Sequence, residues 1–374
     1  MKLPYSLSAE QLLLAAGTAA TFALQGAIST REFWWPLVRG LIPQRRPWFH
    51  RNEPGTYFSG QWLSDQARQR HTHIVGATGS GKTVAIEHLL FSDLARGYGA
   101  LIIDPKGDRE FFERVQTYCA SIGRADELSL LSATYPEESV RWNPCGLGGV
   151  SELQSKFYNS AIYSEPHYAK ACEAGLLKAF TQLVAEYPQG FSITHLVATL
   201  ETMAKSTKDK TLEGLFFDLF NLAQGEWRAI LMCGEKRLPQ NEVSLLEVTQ
   251  GNKILFVHLP TESRAVQSSR IGRLLTQEIM TISGLRKTNP EIRSGRPFSV
   301  YIDEFDAFAT ESISTFINKG RSSDFMIHMA HQTLSDLNRV SPDFKGQIMG
   351  NCNVRLIFRQ DDPDDAETWS RVFG

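Results

Sequence analysis

The chain has 374 residues, long for one small domain and suited to one large domain carrying an insertion. Hydrophobic residues make up 42% and charged residues 21%, which excludes wholesale disorder and fibrous repeats. Lys plus Arg number 39 against 41 Asp plus Glu, a net charge of −2, so no positive coat for nucleic acid exists and any such contact is confined to loops or a channel. The five cysteines, Cys119, Cys145, Cys172, Cys233 and Cys352, contain no CxxC pair and are odd in number. That argues against a disulfide framework or zinc ribbon and fits a reducing cytosol.

The first element is a charge-free run, Gln11 to Thr30. As a helix its 20 residues span roughly 30 Å, the thickness of a bilayer core. Ala, Gly and Thr dilute its apolar content, so a buried Ala-rich helix is the competing reading. Trp34 and Trp35 follow as interfacial anchors would. Seven arginines (31, 39, 45, 46, 51, 68 and 70) then face only Glu32, Glu53 and Asp65. By the positive-inside rule the C-terminal bulk is cytoplasmic and residues 1–50 are a membrane-anchor and juxtamembrane segment. A cleaved signal is disfavoured, because the following domain carries an ATP motif.

Residues Asn52 to Gly60 read as a turn-rich linker. Beyond His71, short apolar β-rich runs alternate with helical patterns. The runs are His73–Val75, Ala100–Asp104, Leu128–Leu131, Lys253–Leu259, Phe298–Asp303, Phe325–Ala330 and Asn353–Phe358; helices are predicted after Lys82, Arg109, Thr261, Glu311, Thr333 and Asp364. This alternation predicts an α/β fold with a mainly parallel sheet covered by helices on both faces. From Gly149 to Asn241 only helical spacing appears, as in Leu176, Leu177, Phe180, Leu183 and Val184. The organisation expected is therefore 51–148 and 242–374 as one nucleotide-binding domain, with 149–241 as an all-α insertion. The acids Asp361, Asp362, Asp364 and Asp365 are expected to cap the last helix.

Gly76-Ala77-Thr78-Gly79-Ser80-Gly81-Lys82-Thr83 matches GxxxxGK[ST], with a strand before it and a helical pattern after. The glycines let backbone N–H groups curl round phosphates, and the helix N-terminus adds its positive end. Lys82 is expected to reach the β/γ-phosphates of ATP and the Thr83 hydroxyl to bind Mg²⁺. Such a site needs a carboxylate at another strand end, and Phe298–Asp303 supplies it. Asp303 is expected to hold Mg²⁺, and Glu304 to polarise the attacking water, which points to a hydrolase.

Gln332 follows the strand Phe325–Ala330, where a glutamine can sense the γ-phosphate. Arg321 precedes that strand, where it can reach a neighbouring subunit's site. Asp104-Pro105-Lys106-Gly107-Asp108 ends the second strand, taken as neighbour to the P-loop strand; it either lines the site or is a plain turn. His328 and His331 fall on opposite faces of a strand and make a poor metal pair. His71 and His73 read as edge residues.

GATGSGKT, DPKGD, WNP (Trp142–Pro144), a helical insertion, IDEF, GRSS and AHQ, in that order, resemble the type IV coupling proteins of bacterial conjugation, the TraD/TraG-like group. The resemblance covers about residues 50 to 374. It implies a membrane-anchored, RecA-like P-loop ATPase of the bacterial inner membrane that forms homo-hexamers. It also implies that the chain receives relaxase-bound single-stranded DNA from the relaxosome and drives it with ATP toward the secretion channel. Lys82 and Thr83 then match the Walker A residues, Asp303 and Glu304 the Walker B pair, Arg321 the trans-acting arginine and Gln332 the sensor glutamine. The family commonly begins with two transmembrane helices and continues past the last strand, so this chain reads as a C-terminally shortened form. The alternatives are an FtsK/HerA-type pump for duplex DNA and a nucleotide-gated docking platform for secreted proteins.

Overall fold

The structure, a computed structural model, describes residues 53–163, 165–231 and 241–373. The predicted membrane helix and residues 1–50 lie outside them, as does Cys233. No helix among the described residues is long and apolar enough to cross a membrane.

Two short strands open the described chain: β1 (Gly55–Phe58) and β2 (Gln61–Ser64) form an antiparallel hairpin where the sequence reads as a linker. The Ser59-Gly60 turn takes positive φ at both residues (45° and 86°), so the chain reverses within two residues. All seven predicted apolar runs then form one sheet. They are β3 (Thr72–Val75), β4 (Gly99–Asp104), β5 (Leu128–Ser132), β8 (Ile254–His258), β9 (Phe298–Ile302), β10 (Phe325–His331) and β11 (Val354–Ile357). Between them β6 (Arg141–Trp142) and β7 (Glu242–Val243) pair in parallel at the two ends of the insertion. The sheet order is β11-β3-β10-β9-β4-β8-β5, and every pairing is parallel. This corrects the expected placement of DPKGD: β4 does not neighbour β3, because β10 and β9 stand between them. β3 is also interior, so His71 and His73 are buried rather than at an edge.

Parallel strands need crossovers, and here they are helices on both faces. α1 (Lys82–Ala95) and α2 (Arg109–Ser121) follow β3 and β4. Between β6 and β7 the described residues form helices only: α3 (Val150–Ser160), α4 (Pro166–Glu186), α5 (Ile193–Thr207), α6 (Lys210–Gln224) and a turn at Arg228–Leu231. The 28-residue α7 (Thr261–Thr288), kinked at Arg264 (φ −138°, ψ 38°), follows β8; α8 (Glu311–Lys319) lies between β9 and β10, and α9 (Pro363–Phe373) follows β11.

One apolar core runs from the sheet into the insertion. It joins Leu101, Ile103, Val257, Phe298 and Val300 to Leu176, Phe180, Leu196 and Trp227. The WNP segment holds the two together. Trp142 is buried, and its Nε1 donates to Glu278 of α7 at 3.1 Å; Glu278 also pairs with buried Lys156 of α3 at 2.8 Å. Asn143 donates to the carbonyl of Phe191 at 2.9 Å and accepts from the Cys145 N–H at 3.0 Å. The four described cysteines are free, buried thiols.

The opposite face of β9 and β10 is polar. Ser299, Tyr301 and His328 project there, where two-residue periodicity places them, and meet buried Arg68 and Asp93. Arg68, one of the seven arginines counted toward the positive-inside rule, is a fully buried ion-pair partner.

Candidate nucleotide site

The site lies at the C-terminal ends of the strands, the edge where parallel α/β sheets bind ligands. Residues Gly76–Gly81 connect β3 to α1. Gly79 (φ 70°) and Gly81 (φ 102°) are left-handed, a conformation that leaves successive N–H groups turned into a concavity. Gly76 admits no side chain, because a Cβ there would lie 2.5 Å from Phe358 Cβ. The end of β11 braces the loop: the Ala77 N–H donates to the Arg359 carbonyl at 2.8 Å.

Lys82 begins α1 and is folded onto the loop, its Nζ donating to the carbonyls of Gly76 (2.5 Å) and Ala77 (3.1 Å). Burial lowers its pKa, against the opposing pull of Asp303. The hydroxyl of Ser80 is buried without a partner, one unsatisfied polar atom within the cradle.

Thr83 and Asp303 come together from α1 and the end of β9. Thr83 Oγ1 lies 3.5 Å from Asp303 Oδ2, and Asp303 Oδ1 accepts the Glu304 N–H at 3.0 Å. Glu304 sits at φ 42°, ψ 51°, a left-handed conformation costing a side-chain-bearing residue roughly 1–2 kcal/mol. Burial, then the neighbouring Asp303 charge, raises the Glu304 pKa, as suits a proton acceptor. Gln332 joins the loop, accepting from Thr78 Oγ1 at 3.1 Å.

Sequence reasoning left one participant undecided. Lys106, from the DPKGD turn, donates to Asp303 Oδ2 at 2.7 Å and to Thr83 Oγ1 at 3.2 Å. It reaches them because β4 lies next to β9, a neighbour relation that the sequence does not state. Asp104 shapes that turn, accepting the Lys106 and Asp108 N–H groups at 3.2 and 2.8 Å. Burial raises the Asp104 pKa to about 7, those two bonds opposing it. The hard oxygens of Thr83 and Asp303 suit Mg²⁺, and the ammonium lodged between them shows that the position attracts a cation.

The backbone that carries Arg321 is remote from this site. Its short 3-10 turn, Gly320–Ser323, precedes β10 at the opposite edge of the sheet. Seven strand residues separate that turn from Gln332, on the order of 20 Å. The turn is held firmly, Arg286 donating to the Ser323 carbonyl at 3.1 Å and Ser283 to Ser323 Oγ at 2.7 Å.

His328 and His331 do face opposite ways: His328 meets Arg68, and His331 meets His73. Of the four acids expected to cap α9, Asp362 does so, accepting the Asp364 N–H at 2.9 Å. Asp364 and Asp365 lie within α9, Asp365 accepting the Leu334 N–H of another helix at 2.7 Å, and Asp361 pairs with Arg359.

Two family models match the chain. The type IV secretion-system coupling protein DNA-binding domain matches residues 58–214, and the TraM recognition site of TraD and TraG matches residues 297–374. Together they take in more than half of it. The chain belongs to the type IV secretion coupling-protein family. A curated relative, the type 4 coupling protein DotL of Legionella pneumophila strain Philadelphia 1, is 22% identical over 386 residues, 82% of this chain. The chain spans about half of DotL, 49% of its length. The plasmid coupling protein TrwB, solved with the GTP analogue GDPNP, aligns over 87% of this chain and 80% of its own, with TM-score 0.62 and 17% identity. TrwB with ADP and Mg²⁺ aligns over 81% and 73%, with TM-score 0.62 and 18% identity. VirB4 of Thermoanaerobacter pseudethanolicus aligns over 85% and 86%, with TM-score 0.57 and 14% identity. These likenesses make the fold that of a coupling-protein P-loop domain, with its parallel sheet and RecA-like character.

Proposed function

We propose that the chain is an ATP-hydrolysing DNA translocase that passes relaxase-bound single-stranded DNA to a conjugative type IV secretion channel. The observation that carries the enzymatic part is the meeting of Lys82, Thr83, Asp303 and Glu304 around one glycine-rich loop. The family supplies the DNA and secretion part, its matching model being described as a DNA-binding domain. TrwB, of the same fold, was solved with ADP and Mg²⁺. In this reading ATP lies on residues 76–83 and Lys82 leaves the loop carbonyls for the β/γ-phosphates. Thr83 and Asp303 hold Mg²⁺, which neutralises phosphate charge. Glu304 accepts the proton of the attacking water, and Gln332 orients that water beside Thr78.

Arg321 completes the site from a neighbouring subunit. That role is supported by its turn lying at the far edge of the sheet, roughly 20 Å from its own loop. That role requires a neighbouring copy of the chain; the family resemblance makes the assembly a homo-hexamer, with its catalytic part on the cytoplasmic side of the bacterial inner membrane and the N-terminal segment as anchor. The relaxosome is the partner on the cytoplasmic side.

The test is ATP hydrolysis by the purified chain, alone and with single-stranded or duplex DNA, with Lys82→Ala as control. Stimulation chiefly by single strands is expected. Stimulation chiefly by duplex would favour the FtsK/HerA-type pump. Lysine-dependent hydrolysis indifferent to DNA but altered by a secreted partner would favour the docking platform. Arg321→Ala should lose about 10³-fold or more in turnover. Mixing it with Lys82→Ala protein should restore part of that loss in oligomers shown to be mixed.

A further inference from the structure

The Lys106 ammonium stands on the two oxygens that the proposed function gives to Mg²⁺. It lies 2.7 Å from Asp303 Oδ2 and 3.2 Å from Thr83 Oγ1, which are themselves 3.5 Å apart. Its side chain is 41% exposed while that of Asp303 is 5% exposed, so the cation can swing into solvent and the carboxylate cannot follow. An ammonium and a divalent ion cannot share this position, since like charges a few ångströms apart repel strongly.

We propose that Lys106 is a resident cation that keeps free divalent metal out of the site and yields the position only to metal that arrives with nucleotide. The inference rests on the nucleotide reading above. Free Mg²⁺ sheds water reluctantly. To bind Asp303 it must also break the Lys106 contacts, with one carboxylate as its reward. A nucleotide contributes its phosphate oxygens and their negative charge, which tips the exchange. Lys106 thereby makes metal and nucleotide binding one coupled event, and linkage requires the coupling to be equal in both directions.

The exchange also has a route outward. The Lys106 turn bends at Gly107 (φ 69°) and is tied by Asp104. Pro105 O accepts the Thr261 N–H at 2.8 Å and the Thr261 hydroxyl at 3.1 Å. Thr261 lies in the short turn that leads, across the kink at Arg264, into the long part of α7, which pairs through Arg270 with Asp218 and through Glu278 with Lys156 of the insertion. The turn that carries the resident cation is therefore bonded to the segment that leads into the helix pairing with the insertion.

The experiment titrates Mn²⁺, read by the electron paramagnetic resonance of the free ion, into the nucleotide-free full chain. Wild type, Lys106→Met, Lys106→Gln, Lys106→Arg and Asp303→Asn are compared. Fluorescent MANT-ADP binding is measured in parallel, with and without Mg²⁺. Lys106→Met should bind free Mn²⁺ about tenfold more tightly than wild type, a gain of about 1.4 kcal/mol. Lys106→Gln covers the case in which the Met variant misfolds. Lys106→Arg should stay closed to free metal, and Asp303→Asn should bind none. The factor by which Mg²⁺ tightens MANT-ADP should fall about tenfold in Lys106→Met. Equal Mn²⁺ affinity in wild type and both neutral variants would overturn the inference. Failure of wild type to bind MANT-ADP would instead sink the nucleotide reading, with the Mn²⁺ arm still deciding what Lys106 does.

Discussion

Asp93 and Asp303 are both carboxylates that meet cations on the same sheet, and their surroundings differ in one respect: saturation. Asp93 Oδ1 accepts from Arg68 and Arg96, both at 2.6 Å. Its Oδ2 accepts from Arg68, Ser299 and Tyr301, all at 2.6 Å. Burial alone would raise its pKa, but Arg68 and then Arg96 pull it well below the usual carboxylate range. His328, kept neutral by burial and by Arg68, stacks on Tyr301 with centroids 4.2 Å apart. Asp303 has one backbone N–H, one half-exposed ammonium and one long hydroxyl contact. A saturated buried carboxylate has no capacity left for a ligand and fixes structure. An unsaturated one at a strand end has capacity to exchange partners, and that is where function can sit.

The largest expected effect breaks the saturated cluster. Asp93→Ala removes the bidentate partner of Arg68, which has 0% exposure and keeps only the longer carboxylate contact to Asp65 at 3.6 Å, and should cost about 3–5 kcal/mol in urea unfolding. Replacing both partners, Arg68→Met with Asp93→Leu, should recover most of that loss. A cost below about 1 kcal/mol for Asp93→Ala would show that the network is not structural.

Glu304→Gln tests the open cluster. Nucleotide binding should persist while turnover falls by about 10²–10⁴-fold, read by MANT-ADP titration and phosphate release. Unchanged turnover would remove Glu304 from the proton-transfer role.

A smaller effect is pH-dependent. The Asp104 pKa is raised to about 7 by burial, above its ordinary value of 3.8. The folded state then keeps a proton that the unfolded chain has released, so stability falls as pH climbs from about 4 through about 7 and then levels. Asp104→Asn still accepts one turn N–H and should lack this slope in unfolding midpoints taken between pH 5 and 8. A slope equal to that of wild type would assign the effect elsewhere.

How much of this was legible in the sequence follows from what each feature depends on. The seven central strands read correctly because strands buried on both faces are apolar runs such as Leu101-Ile102-Ile103 and Leu255-Phe256-Val257. The P-loop and the Asp303-Glu304 pair were visible as motifs because their residues are contiguous in the chain, and the fold brings the two motifs together at the strand ends. The hairpin β1–β2 was hidden because four-residue strands have no periodicity to measure, although its Ser59-Gly60 turn was a signal. Arg68 was only one of a tally of arginines, because its partner Asp93 is 25 residues away. The site's second lysine stayed undecided because its reach depends on strand order, and order is a property of the whole sheet. Lys106 meets Asp303 across 197 residues through the adjacency of β4 and β9.

The smallest expected effect is also the sharpest test of the comparison. Asp303→Asn removes the carboxylate from Lys106, yet the amide oxygen of the new side chain can still accept the Glu304 N–H that Asp303 takes at 3.0 Å. Lys106 is 41% exposed, so on losing its partner it turns to water rather than becoming a buried orphan. A pair whose cation is open to water holds little beyond what solvation returns, and the metal-free Asp303→Asn chain should unfold within about 1 kcal/mol of wild type. The same change at Asp93 strands a guanidinium and cannot be so mild. If urea unfolding gave Asp303→Asn a loss near that of Asp93→Ala, the Lys106 contact would be a structural ion pair and exchange at the strand ends would be untenable. A small loss together with loss of the Mg²⁺-dependent tightening of MANT-ADP binding would separate the two carboxylates by saturation, since both pack against one sheet of one chain.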